Sequence, residues 1–215
     1  MTDELLAEQV RYYRERAPEY DATSHPEGDP YADSMARAVT DLRSLGPVRR
    51  VIELGAGTGQ FTGILASMAE AVVAVDTAPE ALALLRDKVD AGNVETVVGD
   101  VFTWAPDDPA ELVMFSALFS HIPTDRFGAF WSSIDRMLAP DGRVFVFDEA
   151  PHGLWSEQAT GDDEVVERTL QDGRRFRIVK VLWNPDDLSR RLSDAGWRAR
   201  FVREDPFYWG IVERQ

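Results

Sequence analysis

One stretch, residues 51–61 (VIELGAGTGQF), constrains the fold of this chain more than any other part of it. It begins as a short apolar strand and then places Gly55, Gly57 and Gly59 at alternate positions. Glycine lets a backbone turn tightly and lets a ligand approach the main chain closely. A glycine-rich turn after a buried strand is where open α/β sheets bind nucleotides, at the carboxyl ends of the strands. This stretch therefore predicts a nucleotide-type ligand.

Apolar runs on either side of this stretch predict an α/β fold. Strand and helix signals alternate from residue 48 to residue 147, as they do in mainly parallel sheets with right-handed crossovers. Two helices separated by a loop (17–30) precede this region, and a hairpin, a helix and two further strands follow it. The expected strands are 48–54, 71–75, 94–98, 112–115, 143–147, 165–170, 176–183, 198–203 and 207–212, and the expected helices are 2–16, 31–45, 60–68, 79–89, 125–138 and 185–195.

The charge balance limits the possible partners. The 215 residues carry 38 acidic and 23 basic side chains, a formal net charge of -15. Because nucleic acids and anionic membranes bind clustered Lys and Arg, this balance disfavours both as partners. The chain has no cysteine, which excludes disulfides, thiolate zinc sites and a cysteine nucleophile. With no secretory leader pattern and no membrane-length apolar run, we expect a cytoplasmic protein. We name no metal ligands, because no carboxylate cluster requires a metal, but an oxygen-ligated magnesium ion stays open.

The spacing of the glycines decides between classes of ligand. The dinucleotide pattern G-x-G-x-x-G/A fails, because its last position falls on Gln60 when counted from Gly55 and on Thr62 when counted from Gly57. The stretch also lacks the lysine of a P-loop. What remains is E-x-G-x-G-x-G, which begins at Glu53.

This pattern and three later motifs together resemble the class I S-adenosylmethionine-dependent methyltransferases of the small-molecule type. Asp76 and Thr77 follow the second expected strand, Gly99-Asp100-Val101 follows the third, and FSALFSHIP (residues 115–123) follows the fourth. The resemblance extends over residues 48–147. It implies an α/β fold with a doubly wound sheet of seven mostly parallel strands, an N-terminal helical lid and a β-hairpin insert.

The resemblance also implies S-adenosylmethionine as the cofactor. In that family the glycine loop packs against the methionine moiety and ribose, the acid at Asp76 accepts both ribose hydroxyls, and the acid at Asp100 accepts the adenine amino group. Tyr20 is expected to cover the sulfonium as part of the lid. Simpler roles stay open, with Asp76 as a helix N-cap and with Glu53 and Asp100 as cap or turn residues. The expected cofactor residues are Glu53, Gly55, Ala56, Gly57, Gly59, Asp76, Thr77, Gly99, Asp100, Val101, Phe115 and Tyr20.

His121 is the expected catalytic residue. Its ordinary pKa near 6.5 suits proton transfer from an acceptor hydroxyl or amine, and it lies in a loop at the carboxyl edge of the sheet. A structural histidine bonded to a loop carbonyl is the alternative, and methyl transfer from a sulfonium does not always need a base. Residues near the acceptor are expected to be Tyr13, His121, Glu149, His152 and Trp155, with helix packing, capping or plain core as their alternative roles.

We therefore expect one domain that transfers a methyl group to a small organic acceptor, at oxygen or nitrogen, in secondary metabolism. Its expected parts are an N-terminal helical cap (1–46), a cofactor-binding core (47–148), a hairpin insert (149–184) and a C-terminal helix with two strands (185–215). Three alternatives stay open: a binding protein or non-methylating catalyst on the same scaffold, a nicotinamide-dependent reductase, and a protein or RNA methyltransferase. The sequence leaves the acceptor and the oligomeric state undetermined.

Overall fold

The computed structural model describes residues 2–24, 31–151 and 164–215. Seven strands form one sheet in the order β3-β2-β1-β4-β5-β9-β8, and β6 and β7 pair separately as an antiparallel hairpin. Strands β1 to β5 run parallel, whereas β9 is antiparallel to both β5 and β8. The strands are β1 (Val48–Leu54), β2 (Ala69–Asp76), β3 (Val94–Val98), β4 (Ala110–Ser116), β5 (Leu138–Glu149), β6 (Val165–Thr169), β7 (Arg175–Val179), β8 (Trp197–Glu204) and β9 (Phe207–Arg214).

Seven α-helices accompany the strands in these described residues. They are α1 (Asp3–Arg16), α2 (Tyr20–Ser24), α3 (Ala32–Arg43), α4 (Thr62–Ala66), α5 (Pro79–Lys88), α6 (Phe127–Met137) and α7 (Pro185–Asp194). Three single turns of 3₁₀-helix lie at 17–19, 119–121 and 124–126. The predicted doubly wound, mostly parallel seven-stranded sheet and the N-terminal helix are confirmed.

The core lies on both faces of the sheet because successive side chains of a strand point to opposite faces. In β1, Val51 belongs to the cluster that contains Leu42 of α3 and Leu65 of α4. Its neighbour Ile52 belongs to the cluster on the other face, with α6 and α7. The last four residues of β1 are all buried, which explains why the sequence there is a continuous apolar run apart from Glu53.

The strand order reverses at β1, which lies between β2 and β4. The chain runs from β1 outward to β2 and β3, and then returns to the other side of β1 as β4. The loops that leave β1 and β4 therefore diverge, and a crevice opens at their carboxyl ends. The glycine stretch leaves β1 at this point.

The N-terminal helix and the β6–β7 hairpin pack against each other. Tyr12 of α1 lies in one apolar cluster with Val166, Leu170, Phe176 and Ile178 of the hairpin. Gln9 joins the two elements to the loop after β4, because its side chain accepts the N–H of Val179 at 2.8 Å and donates to the carbonyl of His121 at 3.1 Å.

Several predicted boundaries are wrong. The expected loop at 17–30 contains a 3₁₀ turn and α2, which long-range contacts of Asp21 to Thr58 and Lys88 hold in place. The Pro140-Asp141-Gly142 segment lies inside β5, because α6 has already ended at Met137. The second strand of the hairpin ends at Val179 instead of Trp183.

No helix in the described ranges is long and apolar enough to cross a bilayer.

Candidate active site

A cavity of about 270 Å³ lies at the carboxyl ends of β1 to β4. The strand ends form its floor, and α1 with the segment that follows it covers the opposite side. The strand-end residues that line it include Gly55, Gly57, Asp76, Thr77, Gly99, Asp100, Val101, Ser116, Ala117 and Leu118, and the covering residues include Gln9, Tyr13, Ala17 and Tyr20.

The carboxylate of Asp76 organises the floor of the cavity. One of its oxygens accepts the N–H of Gly57 and the other accepts the N–H of Ala78, each at 2.8 Å. Burial raises the pKa of Asp76, and the backbone N–H groups oppose that shift. The helix α5 begins at Pro79 with Ala78 as its N-cap, so Asp76 is not the N-cap residue. Each carboxylate oxygen can accept a second hydrogen bond, which leaves Asp76 able to bind ligand hydroxyls.

The glycine loop needs glycine for its backbone shape. Gly55, Gly57 and Gly59 have φ angles of +63°, +54° and +86°, a region that strains other residues. A Cβ on Gly57 would make only an ordinary contact with the carbonyl oxygen of Gly55, at 3.9 Å, whereas a Cβ on Gly59 would press on Leu85 of α5. Gly57 therefore exposes main chain to the cavity, and Gly59 allows the loop and α5 to pack closely.

Glu53 lies beneath the cavity floor. It is 2% exposed, and its carboxyl group accepts a hydrogen bond from the Thr62 hydroxyl at 2.6 Å. Burial raises the pKa of Glu53 to about 8, and the nearby charge of Asp76 adds to the shift. The side chain is therefore mostly protonated at neutral pH, and it ties β1 to the start of α4.

Four of the expected cofactor residues do not line the cavity: Glu53, Ala56, Gly59 and Phe115. Phe115 differs most from its expected place, because its ring is fully buried and packs edge-on against Phe130 at 5.3 Å between centroids. Ser116, Ala117 and Leu118 line the wall after β4 instead. A strand pattern does not reveal which of two adjacent residues at a strand end faces inward.

Tyr13 and His121 form a hydrogen-bonded pair on the cavity wall. The Tyr13 hydroxyl lies 2.7 Å from Nε2 of His121, and Nδ1 of the same ring lies 2.7 Å from the carbonyl oxygen of Val179. Because a carbonyl can only accept, Nδ1 carries the proton. Nε2 therefore accepts the hydrogen bond, and the Tyr13 hydroxyl donates it.

The surroundings of His121 keep its ring neutral. Burial lowers its pKa well below the ordinary value, and the charges of Lys180, Arg168 and Arg16 lower it further. The Val179 carbonyl opposes this shift but does not outweigh it. Burial likewise raises the pKa of the Tyr13 hydroxyl well above its usual range. At neutral pH the pair is thus an uncharged hydroxyl that faces an uncharged imidazole.

A buried lysine lies close to this pair and was missed by the sequence analysis. The Nζ of Lys180 lies 2.9 Å from a carboxylate oxygen of Glu149 and 3.3 Å from the Ser120 hydroxyl, and only 5% of its side chain is exposed. The signal was a single cation inside the apolar run IVKVLW. Glu149, which was expected near the acceptor, is thus the ion-pair partner of Lys180. His152 and Trp155 lie outside the described residues.

Charged contacts hold the covering segment down on the floor. Asp21 of α2 accepts a hydrogen bond from the Thr58 hydroxyl of the glycine loop and pairs with Lys88 of α5, each at 2.6 Å. Arg14 of α1 pairs with Glu80 of α5 at 2.7 Å. The cover and the cofactor loop are therefore joined directly.

Within the ranges that the structure describes, no three metal-ligating side chains come together.

The chain is similar to known proteins in sequence and in fold. Residues 51–142 match the family model described as a methyltransferase domain. Trans-aconitate 2-methyltransferase of Mycobacterium sp. (strain KMS) is 30% identical over 190 residues, which cover 82% of this chain and 69% of that protein. Two solved structures of DhpI, one with SAH and one with SAM and HEP, are 37% and 38% identical with TM-scores of 0.84 and 0.85. They cover 100% and 99% of this chain, and 98% and 99% of theirs.

The fold, the glycine loop and these relatives define an enzyme that transfers methyl groups from S-adenosylmethionine. The chain belongs to the class I S-adenosylmethionine-dependent methyltransferases.

The raised pKa of Glu53 predicts how a neutral substitute would behave. Between the ordinary carboxyl pKa and about 8 the folded state holds a proton that the unfolded state releases, so stability falls as pH rises through that range. Gln cannot titrate and keeps the bond to Thr62. We expect Glu53→Gln to melt close to the parent at pH 5 and to exceed it in stability by up to a few kcal/mol at pH 8.5, since one pKa unit is worth about 1.4 kcal/mol.

Thermal melts of the cofactor-free protein over this pH range test the expectation. Glu70→Gln, at an exposed position of β2, is the matched control and should show no such trend. If the melting temperatures of Glu53→Gln and the parent differ by the same amount at every pH, Glu53 is not protonated in the folded protein.

Proposed function

We propose that this methyltransferase acts on an oxygen atom of a small organic acceptor, and that the Tyr13–His121 pair receives the acceptor proton where that oxygen belongs to a hydroxyl group. The observation that carries the proposal is the 2.7 Å hydrogen bond from the Tyr13 hydroxyl to a neutral His121 on the cavity wall. One group of relatives supports oxygen as the acceptor atom, because the substrate in their name, trans-aconitate, is a polycarboxylic acid that offers only oxygen nucleophiles.

The described residues fit the cofactor. S-adenosylmethionine, when bound, supplies an electrophilic methyl group on a sulfonium. We propose that Asp76 accepts the ribose hydroxyls, that Gly55 and Gly57 allow the methionine moiety to approach the main chain, and that Gly99, Asp100 and Val101 hold the adenine. The position of Gly57 on the cavity wall and the spare acceptor capacity of Asp76 support this placement. Tyr20, on the covering side, is proposed to lie over the sulfonium.

The proton route follows from the tautomer of His121. When the acceptor is a hydroxyl group, its oxygen would take the methyl group from the sulfonium, whose carbon–sulfur bond would break to leave a neutral thioether, and the hydroxyl proton would pass to the Tyr13 oxygen while the Tyr13 proton passes to Nε2 of His121. The Val179 carbonyl holds Nδ1–H throughout, so the ring becomes an imidazolium without turning. Tyr13 touches the acceptor in this scheme, and His121 acts through it. The covering helix excludes water from the reacting atoms and holds the acceptor in line with the methyl group.

A product analysis tests the choice of oxygen. The full chain would be incubated with methyl-labelled S-adenosylmethionine and a panel of alcohols, hydroxy acids and carboxylic acids, alongside primary amines and nitrogen heterocycles of matched size. We expect methyl ethers or methyl esters as the labelled products, with S-adenosylhomocysteine formed in equal amount. Labelled N-methyl products alone would contradict the proposal.

Removing the Tyr13 hydroxyl tests the proton route. We expect Tyr13→Phe to lower turnover by about two orders of magnitude, a typical contribution of positioned proton transfer. Affinity for S-adenosylhomocysteine should change little, because the ring remains. His121→Gln should have a similar effect, and the double variant should be no slower than either, because the two groups act as one unit. Single-turnover kinetics with a saturating acceptor measure these rates.

The pH dependence of turnover is a second test of the Tyr13–His121 pair. Since the pKa of His121 lies well below 6.5, parent turnover should stay level from pH 6 to 8 and fall only in more acidic buffer.

Tyr31→Phe is the matched control for Tyr13→Phe. It removes a hydroxyl from a ring that lies outside the cavity and packs on Phe207 at 5.5 Å between ring centroids. Parent-like turnover in Tyr13→Phe would refute the route.

Other expectations from the sequence stay predictions. They are the division of the chain into one domain with a cap (1–46) and an insert (149–184), the cytoplasmic location, the absence of a nucleic acid partner and the role in secondary metabolism. The placement of His152 and Trp155 beside the acceptor also stays a prediction.

A further inference from the structure

Gln9 lies on the covering helix one turn before Tyr13 and contacts the same histidine. Residues four apart share one face of an α-helix, and both of these side chains line the cavity. Tyr13 meets the ring of His121 at Nε2, and the Gln9 amide donates to the backbone carbonyl of His121 at 3.1 Å. The covering helix therefore holds His121 at two points, of which the proton route uses only one.

The partners of the Gln9 amide group fix its orientation. The N–H of Val179 can only donate and the carbonyl of His121 can only accept, so Oε1 faces Val179 and Nε2 faces His121. Both bonds require one donor and one acceptor at the end of a single side chain. Glutamine is the uncharged side chain of this length that offers both.

These contacts close a ring of three hydrogen bonds. Gln9 accepts the N–H of Val179 at 2.8 Å, the Val179 carbonyl accepts Nδ1–H of His121 at 2.7 Å, and the His121 carbonyl accepts from Gln9. The N–H and C=O of one strand residue point to the same side of the strand. Gln9 therefore holds the residue whose carbonyl decides which ring nitrogen of His121 carries the proton.

Two neighbouring contacts dock the hairpin without touching the His121 ring. Glu8 accepts the N–H of Arg177 at 2.7 Å, two residues before Val179 along β7. The N–H of Val181 donates to the carbonyl of Ser120 at 2.7 Å, which joins the end of the hairpin to the turn that carries His121. Docking of the hairpin thus does not depend on Gln9 alone, and what Gln9 adds is a bond to the histidine.

We propose that Gln9 is a positioning residue that keeps the His121 ring aligned, with its proton on Nδ1 and with Nε2 towards the Tyr13 hydroxyl. It acts through Val179 and His121 and takes no proton itself. Because a displacement of about 1 Å at a reacting group can cost about 100-fold in rate, a residue that only aligns the ring can control turnover. This inference rests on the proposed function, in which the ring receives the acceptor proton.

Two other interpretations compete with positioning. Gln9 could serve only to dock the hairpin on α1, as Glu8 does. Since its side chain lines the cavity, it could also bind the acceptor directly. Each interpretation predicts a different response of His121 and of the kinetic constants to the loss of the amide.

The tautomer of His121 tests the inference without any acceptor. Nitrogen NMR of the full chain, with and without S-adenosylhomocysteine, distinguishes a protonated ring nitrogen from an unprotonated one. The chain has three histidines, and His121→Gln assigns one set of signals. We expect the parent to hold the proton on Nδ1 and Gln9→Met, which has a similar length but no amide, to show a mixture of both tautomers. A parent-like tautomer in Gln9→Met would overturn the inference.

Two further variants guard against a general loss of structure. Gln9→Asn keeps the amide on a side chain too short to span Val179 and His121, so it should also show mixed tautomers, even if Gln9→Met does not fold. Glu8→Met is the matched control, because it removes a bond from α1 to a backbone N–H of the same strand. It should keep the proton on Nδ1. If Glu8→Met disturbs the ring as much as Gln9→Met, Gln9 only docks the hairpin.

Turnover separates positioning from acceptor binding. The probe is the hydroxyl compound of the panel above that gives the most methyl ether. We expect Gln9→Met to lower kcat about tenfold or more and to change KM less than about twofold. In the Tyr13→Phe background the same substitution should slow turnover little further, because the groups act as one unit. A raised KM with unchanged kcat, or an equal loss in both backgrounds, would overturn the inference.

Failure of this inference can be told from failure of the function on which it rests. Parent-like turnover in Tyr13→Phe would refute the proton route, and the His121 tautomer in Gln9→Met would still show whether Gln9 holds the ring. Slow turnover in Tyr13→Phe together with a parent-like tautomer and kcat in Gln9→Met would overturn the role of Gln9 alone.

Discussion

The hydrogen bonds of the Asp76 carboxylate hold together the part of the molecule on which the rest depends. One oxygen holds the N–H of Gly57 and the other holds the N–H of Ala78, so one side chain fixes both the glycine loop and the approach to α5. The loop needs such support, because three of its residues lie in the left-handed region. The backbone donors also offset part of the cost of burying the charge.

Further contacts extend outward from that centre. Lys88 and Glu80 of α5 pair with Asp21 and Arg14 of the covering segment, so the helix that Asp76 positions also anchors the cover. The cover packs on the β6–β7 hairpin through Tyr12, and the hairpin in turn orients His121 through the Val179 carbonyl. A chain of direct contacts therefore runs from the proposed ribose end of the cavity to the proposed acceptor end.

The two ends differ in charge. The carboxylate of Asp76 lies at the end of the glycine loop, which suits a cofactor that carries a sulfonium, whereas Tyr13 and His121 at the other end are uncharged. The buried Glu53 is mostly protonated at neutral pH, so the charge at the first end comes chiefly from Asp76.

The sequence predicts the parallel sheet and the glycine loop well, because apolar runs and glycine spacing are local signals. The position of Asp76 at the end of β2 follows from the same local pattern. The α2 helix is missed because contacts of Asp21 with distant residues hold it, and propensity does not report such contacts. Phe115 is misplaced because one residue of register decides between core and cavity. Lys180 meets Glu149 only when the chain that follows the hairpin packs beside β5, which no local pattern specifies.

A calorimetric titration with S-adenosylhomocysteine, performed on the parent, Asp76→Asn and Asp87→Asn, tests the central claim most directly. Asp87 is an exposed residue of α5 and serves as the matched control. The account predicts micromolar binding by the parent and by Asp87→Asn, and binding weakened about tenfold or more in a folded Asp76→Asn, since hydrogen bonds to a charged group are worth about 1.5–3 kcal/mol. Unchanged affinity in Asp76→Asn would contradict the role given to this carboxylate.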